Sequence, residues 1–262
     1  LGQGLLTSEG GLHKQQRQLL QPIFQPKKLA RFESQVDEKT RQLLEHWPEC
    51  GEIDASREMT RLTLEIITQT IFGTDVDVTE VREAMEEALE VFRTAALPFY
   101  ELAERLFPPL KDKPLRVRRR LDAVLQGILE QNQSLLHGCP MQAEQLRDEA
   151  MTLFLAGHET TAWMIGRRSR EEGALGDYHL PAGTTVLMSP YVMHRNPEFF
   201  PEPDEFRPQR WLDRPRSALP KGVFFPFGAG PRVCIGEHFA WMEMLRGLRL
   251  LLQTFRLDPC QV

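Results

Sequence analysis

The sequence predicts a mainly α-helical protein with a small β portion. Three observations lead there. Before residue 165, apolar residues recur at helical spacing in runs long enough for core helices. Beyond it prolines crowd: ten of the 19 fall between Pro181 and Pro231, which leaves no room for long helices there. A last apolar-periodic run, Glu237 to Phe255, closes the chain as a helix. At 262 residues, 41% hydrophobic and 26% charged, the chain can bury a sizeable core. It reads as a single domain over 1–262, with a helical part at 1–164 and a part at 165–262 holding a hairpin, a meander, a cysteine loop and a final helix.

The elements follow in order. Leu12 to Phe24 mixes apolar residues with Lys14, Arg17 and glutamines, and reads as a helix. Arg31 to Trp47 is a polar helix that stops before Pro48. Met59 to Phe72 carries Leu62, Leu64, Ile66, Ile67 and Ile71, the spacing of a core helix, and ends at Gly73. Val78 to Ala96 is amphipathic and acidic. Leu115 to Leu136 starts with Arg116, Arg118, Arg119 and Arg120, which read as a solvated face. Ala143 to about Met164 is a helix interrupted at its centre by Ala156-Gly157. Tyr178 to Met188 reads as a hairpin about a Pro-Ala-Gly turn. Arg195 to Phe225 is a proline-punctuated meander. In the final helix Phe239, Met242, Leu245, Leu248 and Leu252 are available for burial. Phe92, Leu97, Phe99 and Phe154 are candidates to line an apolar pocket, with core packing the default for each.

Composition excludes several classes. A net charge of -5 points away from nucleic acid and anionic membranes. No window approaches 18 uninterrupted apolar residues, so no transmembrane segment is expected. Cys50, Cys139, Cys234 and Cys260 show no paired or zinc-type spacing, which suits a reducing, cytoplasmic setting. The chain opens on Leu1 with no signal-peptide pattern, as a chain that begins mid-protein does.

Chemistry concentrates in Phe227-Gly228-Ala229-Gly230-Pro231-Arg232-Val233-Cys234-Ile235-Gly236. A cysteine is an anionic ligand when cations and a helix N-terminus depress its pKa, and Arg232 and the following helix are placed to do so. Gly228, Gly230 and Gly236 let the backbone turn sharply and approach a flat partner. A lone cysteine in a Gly-Pro loop is more often a small buried hydrophobe. The second constellation is Ala156-Gly157-His158-Glu159-Thr160-Thr161. Small residues open space beside the helix, Thr160 can bond back to the preceding turn, and a carboxylate next to a hydroxyl can relay protons. On its own, that stretch reads more readily as a core helix with a small-residue contact and a solvated Glu.

Taken together, these segments resemble the cytochrome P450 family. Phe-x-x-Gly-x-Arg-x-Cys-x-Gly resembles its haem-binding loop, and Ala156 to Thr160 resembles its oxygen-activation helix. The resemblance implies that Cys234 is the axial thiolate, that Arg232 pairs with a haem propionate and that Phe227 packs beside the sulfur, with Gly230 and Gly236 shaping the loop. It implies that Glu159 and Thr160 deliver protons to dioxygen, and that Ala156 and Gly157 leave the groove where oxygen sits. His13 and Arg17 match the family's propionate-binding pair, Arg167 a further propionate-binding position, and Arg210 the structural cation of the meander motif. The implied fold is a partial cytochrome P450 fold of the bacterial soluble type. The implied function is a haem-thiolate monooxygenase using haem b, O2, a small apolar organic substrate and a separate electron donor, either a ferredoxin or a flavoprotein reductase.

The chain departs from the family in two places. The family's N-terminal region before His13 has no counterpart. Thr161 and Cys234 stand only 73 positions apart, and the expected Glu-x-x-Arg helix between them is missing. Five Glu-x-x-Arg matches occur elsewhere, including Glu144/Arg147 and Glu243/Arg246, and read as ordinary helical pairs. Arg210 would then lose its carboxylate, a loss of about 3–5 kcal/mol if the network were buried. Either this sequence lacks residues of a longer protein, and the chemistry stands, or the chain is a truncated variant, which would retain haem poorly and lack monooxygenase activity. Two further readings stay open: an inactive haem-binding remnant, and a peroxide-using haem-thiolate enzyme, which the Glu159-Thr160 pair argues against. A non-haem helical binding protein would need every motif to be coincidence.

Overall fold

A computed structural model describes residues 2–73, 78–95, 109–131, 141–158 and 165–258. Its contacts divide into two compact units. One comprises residues 1–160 with 238–262, the other residues 161–237.

The first unit is helical. It holds α1 (Gly10–Leu20), α2 (Pro26–Leu29), α3 (Glu33–Glu45), α4 (Ala55–Ile71), α5 (Val78–Ala95), α6 (Pro109–Gln131), α7 (Ala143–His158) and α10 (Glu237–Thr254). Helix α4 starts where the Asp54 carboxylate accepts the Arg57 N–H at 3.0 Å, an N-cap that satisfies one orphan donor. Its Leu64 and Ile66 are sealed in the core with Leu20, Val36, Met85 and Phe154. Phe154 stacks on Phe72 with ring centroids 4.4 Å apart, so it is a core residue. Helix α7 packs on both α4 and α6 and is buried on nearly every side from Asp148 to Phe154.

Several boundaries differ from the expected ones. The first helix ends at Leu20 and gives way to a 3-10 turn over Gln21–Phe24. Helix α6 begins at Pro109 and runs through Pro114. A proline within the first two turns gives up only a single intrahelical bond, so the helix tolerates it. Its arginine run is only partly a solvated face, because Arg120 reaches Glu83 at 2.9 Å and Glu87 at 2.5 Å on α5. No described helix is long and apolar enough to cross a membrane.

Helix α10 joins this unit through one face. Phe239 meets Phe24 and Phe32 edge-on, and Phe255 beyond its end packs on Trp47. Arg246 takes Asp37 on α3 through two bonds of 2.7 and 2.6 Å and also bonds Glu33. The Glu243/Arg246 spacing is therefore not an ordinary i,i+3 pair; the arginine turns to the neighbouring helix. Burial also departs from expectation. Phe239 and Leu251 are buried, whereas Leu245, Leu248 and Leu252 stay exposed because they lie on the face turned away from α3.

The second unit holds two antiparallel ribbons: β1 (Ile165–Arg168) pairs with β4 (Thr185–Met188), and β2 (Gly173–Leu175) with β3 (Tyr178–Leu180). The expected Tyr178–Met188 hairpin is absent among the described residues. The tight turn lies earlier, at Gly176-Asp177, where Gly176 has φ +56°, the conformation a two-residue hairpin favours at that position. Pro181 to Gly183 instead bridges the two ribbons and is held by Ser169, whose backbone and hydroxyl bond Pro181, Gly183 and Thr184. Short helices α8 (Pro190–Met193) and α9 (Arg210–Asp213) punctuate the meander.

Candidate functional site

The thiol loop lies wholly in the second unit. Gly228 and Gly230 take φ +74° and +73°, values that side-chain-bearing residues rarely adopt. The Gly228 N–H donates to the Phe225 carbonyl at 3.0 Å, a 3-10 turn spans Gly230–Arg232, and the Cys234 N–H donates to the Phe227 carbonyl at 2.9 Å. The loop is thus closed by backbone bonds, and the Cys234 side chain emerges exposed and without a disulfide. Behind it, a Cβ at Gly228 would come within 3.7 Å of Ile165 Cδ1, so β1 backs the loop. A Cβ at Gly230 would meet nothing within 4 Å, so backbone conformation rather than space selects glycine there. Gly236 lies directly before α10.

An accessible sulfur with a guanidinium two residues away, on a backbone that donates to the Phe227 carbonyl, suits a large, flat, anionic, soft-metal cofactor. Among the described residues no group of three or more His, Cys, Asp or Glu could hold a metal ion. Arg167 lies on β1 opposite Val186, exposed, and bonds the Gly166 carbonyl at 2.8 Å.

His13, Arg17, Ala156 and Gly157 belong to the first unit. His13 is buried and Arg17 half-buried on the same face of α1, as four-residue spacing requires. Ala156 is exposed near the end of α7, and the helix continues through Gly157 to His158 rather than breaking there. Glu159, Thr160 and Thr161 lie outside the described residues, as do Leu97, Phe99 and the side chain of Phe92.

Arg210 departs from expectation. Its guanidinium donates to the carbonyls of Pro201 at 2.7 Å, Glu202 at 2.8 Å, Glu205 at 3.1 Å and Arg207 at 3.2 Å. Four carbonyls take the place of the expected carboxylate, and because the residue is not buried the penalty for a stranded charge does not arise.

Sequence reasoning missed a second structure, a strap over α7. Residues 2–8 run across the helix. The Asp148 carboxylate accepts the Gln3 N–H at 2.7 Å, and Glu149 accepts the Leu5 N–H at 2.9 Å. Gln16 on α1, fully buried, donates to the Gln3 carbonyl at 2.6 Å and accepts from Ser8. The strap thereby couples α7 to the helix that bears His13 and Arg17. Glu149 has no exposure and one unpartnered oxygen, and its burial raises the carboxyl pKa. A glycine at every second position, Gly2 and Gly4, was the available signal.

Known proteins bear on this arrangement. The cytochrome P450 family model matches residues 1–138 and 164–262. The unmatched stretch, 139–163, contains Ala156, Gly157, Glu159 and Thr160. Cyclooctatin synthase of Streptomyces melanosporofaciens is 26% identical over 346 residues, an alignment taking in 99% of this chain and 74% of that protein. Cyclooctat-9-en-7-ol 5-monooxygenase from the same organism is 26% identical over 337 residues, with 99% and 73% covered. Both alignments are longer than this chain, so the relatives carry internal sequence with no counterpart here. Among solved structures, a six-coordinated cytochrome P450 from Thermus thermophilus superposes with a TM-score of 0.82 at 28% identity, covering 98% of this chain and 77% of that one. With a glycine-closed loop offering one exposed thiol and a family model matching most of its length, the chain belongs to the cytochrome P450 family of haem-thiolate monooxygenases.

Proposed function

We propose that this chain binds haem b through the Cys234 thiolate and acts as a monooxygenase on a small apolar organic substrate. The observation that carries the reading is the exposed, unbridged Cys234 on a loop whose closure by the Phe227 carbonyl fixes its backbone. When bound, the haem supplies the activation of O2 and the insertion of one oxygen atom into a C–H bond. The protein's own work is narrower. Cys234 would hold the metal, and Phe227 is assigned to pack beside the sulfur. Arg232, Arg167, His13 and Arg17 are assigned to the propionates on their motif positions. Glu159 and Thr160 are assigned to proton delivery, the carboxylate as donor and the hydroxyl as relay. Ala156 and Gly157 keep bulk away from the end of α7. Electrons come from a separate ferredoxin or flavoprotein reductase, because the chain carries no nucleotide-binding fingerprint, and the unpaired pattern of its cysteines suits the cytoplasm.

The test is spectroscopic. The purified 262-residue chain, reconstituted with haem and reduced under carbon monoxide, should give the Soret band of thiolate ligation. Cys234→Ser should lose that band. A wild-type chain that stays colourless, or a Cys234→Ser spectrum identical to the wild type, overturns the assignment.

One observation favours a second reading, a haem-binding chain without turnover. The relatives' alignments extend well beyond this chain's own length. Loading with a thiolate spectrum but no product, either with reduced ferredoxin or with peroxide, would select it.

A further inference from the structure

His194 follows α8 and sits inside an aromatic cage. Its ring centroid lies 4.8 Å from that of Phe224, 5.4 Å from Phe225 and 6.0 Å from Phe200, while Trp211 closes on Phe200 and Phe224. Its Nε2 accepts the backbone N–H of Phe225 at 3.1 Å. A backbone N–H can only donate, so Nε2 carries no proton in the folded chain. The bond leads directly into the thiol loop. The Phe225 carbonyl accepts from Gly228 at 3.0 Å, and the Phe227 carbonyl accepts from Cys234 at 2.9 Å. Every group in this series belongs to the second unit.

We infer that His194 is a positioning residue for Cys234, its Nε2 anchoring the Phe224–Phe227 segment from which the thiol loop departs. The consequence for iron ligation rests on the proposed haem reading; the anchoring itself does not. Imidazole suits the task because the cage needs a flat ring and Phe225 needs an acceptor, and neutral histidine carries its acceptor nitrogen within the ring itself.

The same atom makes the anchor sensitive to acid. Protonating Nε2 removes the acceptor and places a cation among aromatic rings. The charged side chains on the elements enclosing the ring are engaged elsewhere or directed by their own loops. Arg195 pairs with Asp204 and lies over Tyr191; Arg216 lies over Phe224 and 3.5 Å from Glu237. Arg210 is held by carbonyls, and Asp213 accepts from Gln209. Burial therefore sets the imidazole's behaviour and holds its pKa below the usual value. A folded pKa below the unfolded one means the unfolded chain binds the extra proton. The anchoring is complete above the ordinary histidine range and is lost as pH falls below it, through the lowered folded-state pKa.

Amide hydrogen exchange on the full chain without haem tests this. His194→Phe keeps a ring in the cage and removes the acceptor. Protection at the Phe225, Gly228 and Cys234 amides should fall about tenfold, the scale of one lost hydrogen bond, while α4 amides stay unchanged. His194→Gln, whose Oε1 can accept, should retain most of the protection. Wild-type protection at the same three amides should fall on acidification below the ordinary histidine range, through the lowered folded-state pKa. Unchanged protection in a folded His194→Phe chain, or equal loss in both variants, overturns the inference. Should His194→Phe fail to fold, a flat wild-type acid profile at those amides overturns it. After reconstitution, His194→Phe should bind haem with a reduced thiolate-type Soret band that His194→Gln restores. A wild type that binds no haem defeats the proposed function and leaves the exchange results standing.

Discussion

Replacing Gly4 with alanine tests how closely the strap approaches α7. A Cβ at that position would lie 2.1 Å from Thr152 Oγ1 and 2.5 Å from the Asp148 carbonyl oxygen. Thr152 could turn its hydroxyl, at the expense of its 2.9 Å bond to Asp148. The Asp148 carbonyl cannot move, because it is backbone in the middle of a buried helix. Van der Waals contact needs about 3.4 Å or more, so the strap must lift by about 1 Å. That carries the Gln3 and Leu5 N–H groups, now 2.7 and 2.9 Å from Asp148 and Glu149, to the edge of hydrogen-bonding range or beyond. A carboxylate bond contributes about 2 kcal/mol, a weaker one about 1, and residual overpacking costs about 1–2. The total is about 4 kcal/mol, capped by what strap docking is worth, since the strap can detach. Gly127, inside α6 with nothing within 4 Å of its would-be Cβ, is the control. Alanine there should stabilise by about 1 kcal/mol. Urea denaturation of both variants reads the difference. A Gly4→Ala chain within about 0.5 kcal/mol of wild type would refute the account of the strap.

Glu243 gives a pH signature: the residue is half-buried, but its Oε1 is shut from solvent and unpartnered, and burial pushes its carboxyl pKa up to about 8. The folded state then binds a proton that the unfolded state releases, so stability should fall as pH rises from the ordinary carboxyl range towards 8, and Glu243→Gln should flatten a series of urea midpoints across that window. Asp37 has the opposite sign. The Arg246 guanidinium holds its carboxyl below the usual range, so Asp37→Asn should remove stability that the wild type keeps at neutral pH and loses in acid. Arg246→Ala should loosen α10 from α3 by about 1–2 kcal/mol, less at high salt because the pair is partly solvated, as thermal melts at two ionic strengths would show. Arg210→Lys replaces a fork that reaches four carbonyls with a single point donor. It should speed limited proteolysis between residues 201 and 210 with little change in the helical circular dichroism.

Helix α4 was legible because its apolar residues, Leu64 and Ile66 among them, announce themselves by spacing. The strand pairing was not. Gly176-Asp177 and Pro181-Ala182-Gly183 are both respectable turn signals, and Ser169, distant in sequence, decides between them by closing the second as a connection. The exposed leucines of α10 show the same limit. Its periodicity predicted a buried stripe, but which stripe is buried depends on where Arg246 finds its carboxylates, and those lie on α3.

The candidate site divides along the same line. The thiol loop could be read from ten consecutive residues because its geometry is backbone geometry: two glycines at positive φ and one closing bond within the segment determine where Cys234 points its N–H. What steadies the loop is not in those ten residues. His194 acts from 31 positions away, and Asp148 and Glu149 act on the strap from 145 and 144 positions away. In a single sequence each of these looks ordinary, a histidine in a proline-rich stretch or an acidic pair on a helix. Their roles come from the backbone N–H that each one meets, and that meeting is a property of the folded neighbourhood rather than of the residue. Arg210 makes the case from the other side. Its motif promised a carboxylate partner, and the chain instead folded four carbonyls of its own meander around the guanidinium. A motif fixes which donor is present; the surrounding loop fixes what accepts from it, and here that loop closes on the arginine from within a single short stretch, residues 201–211.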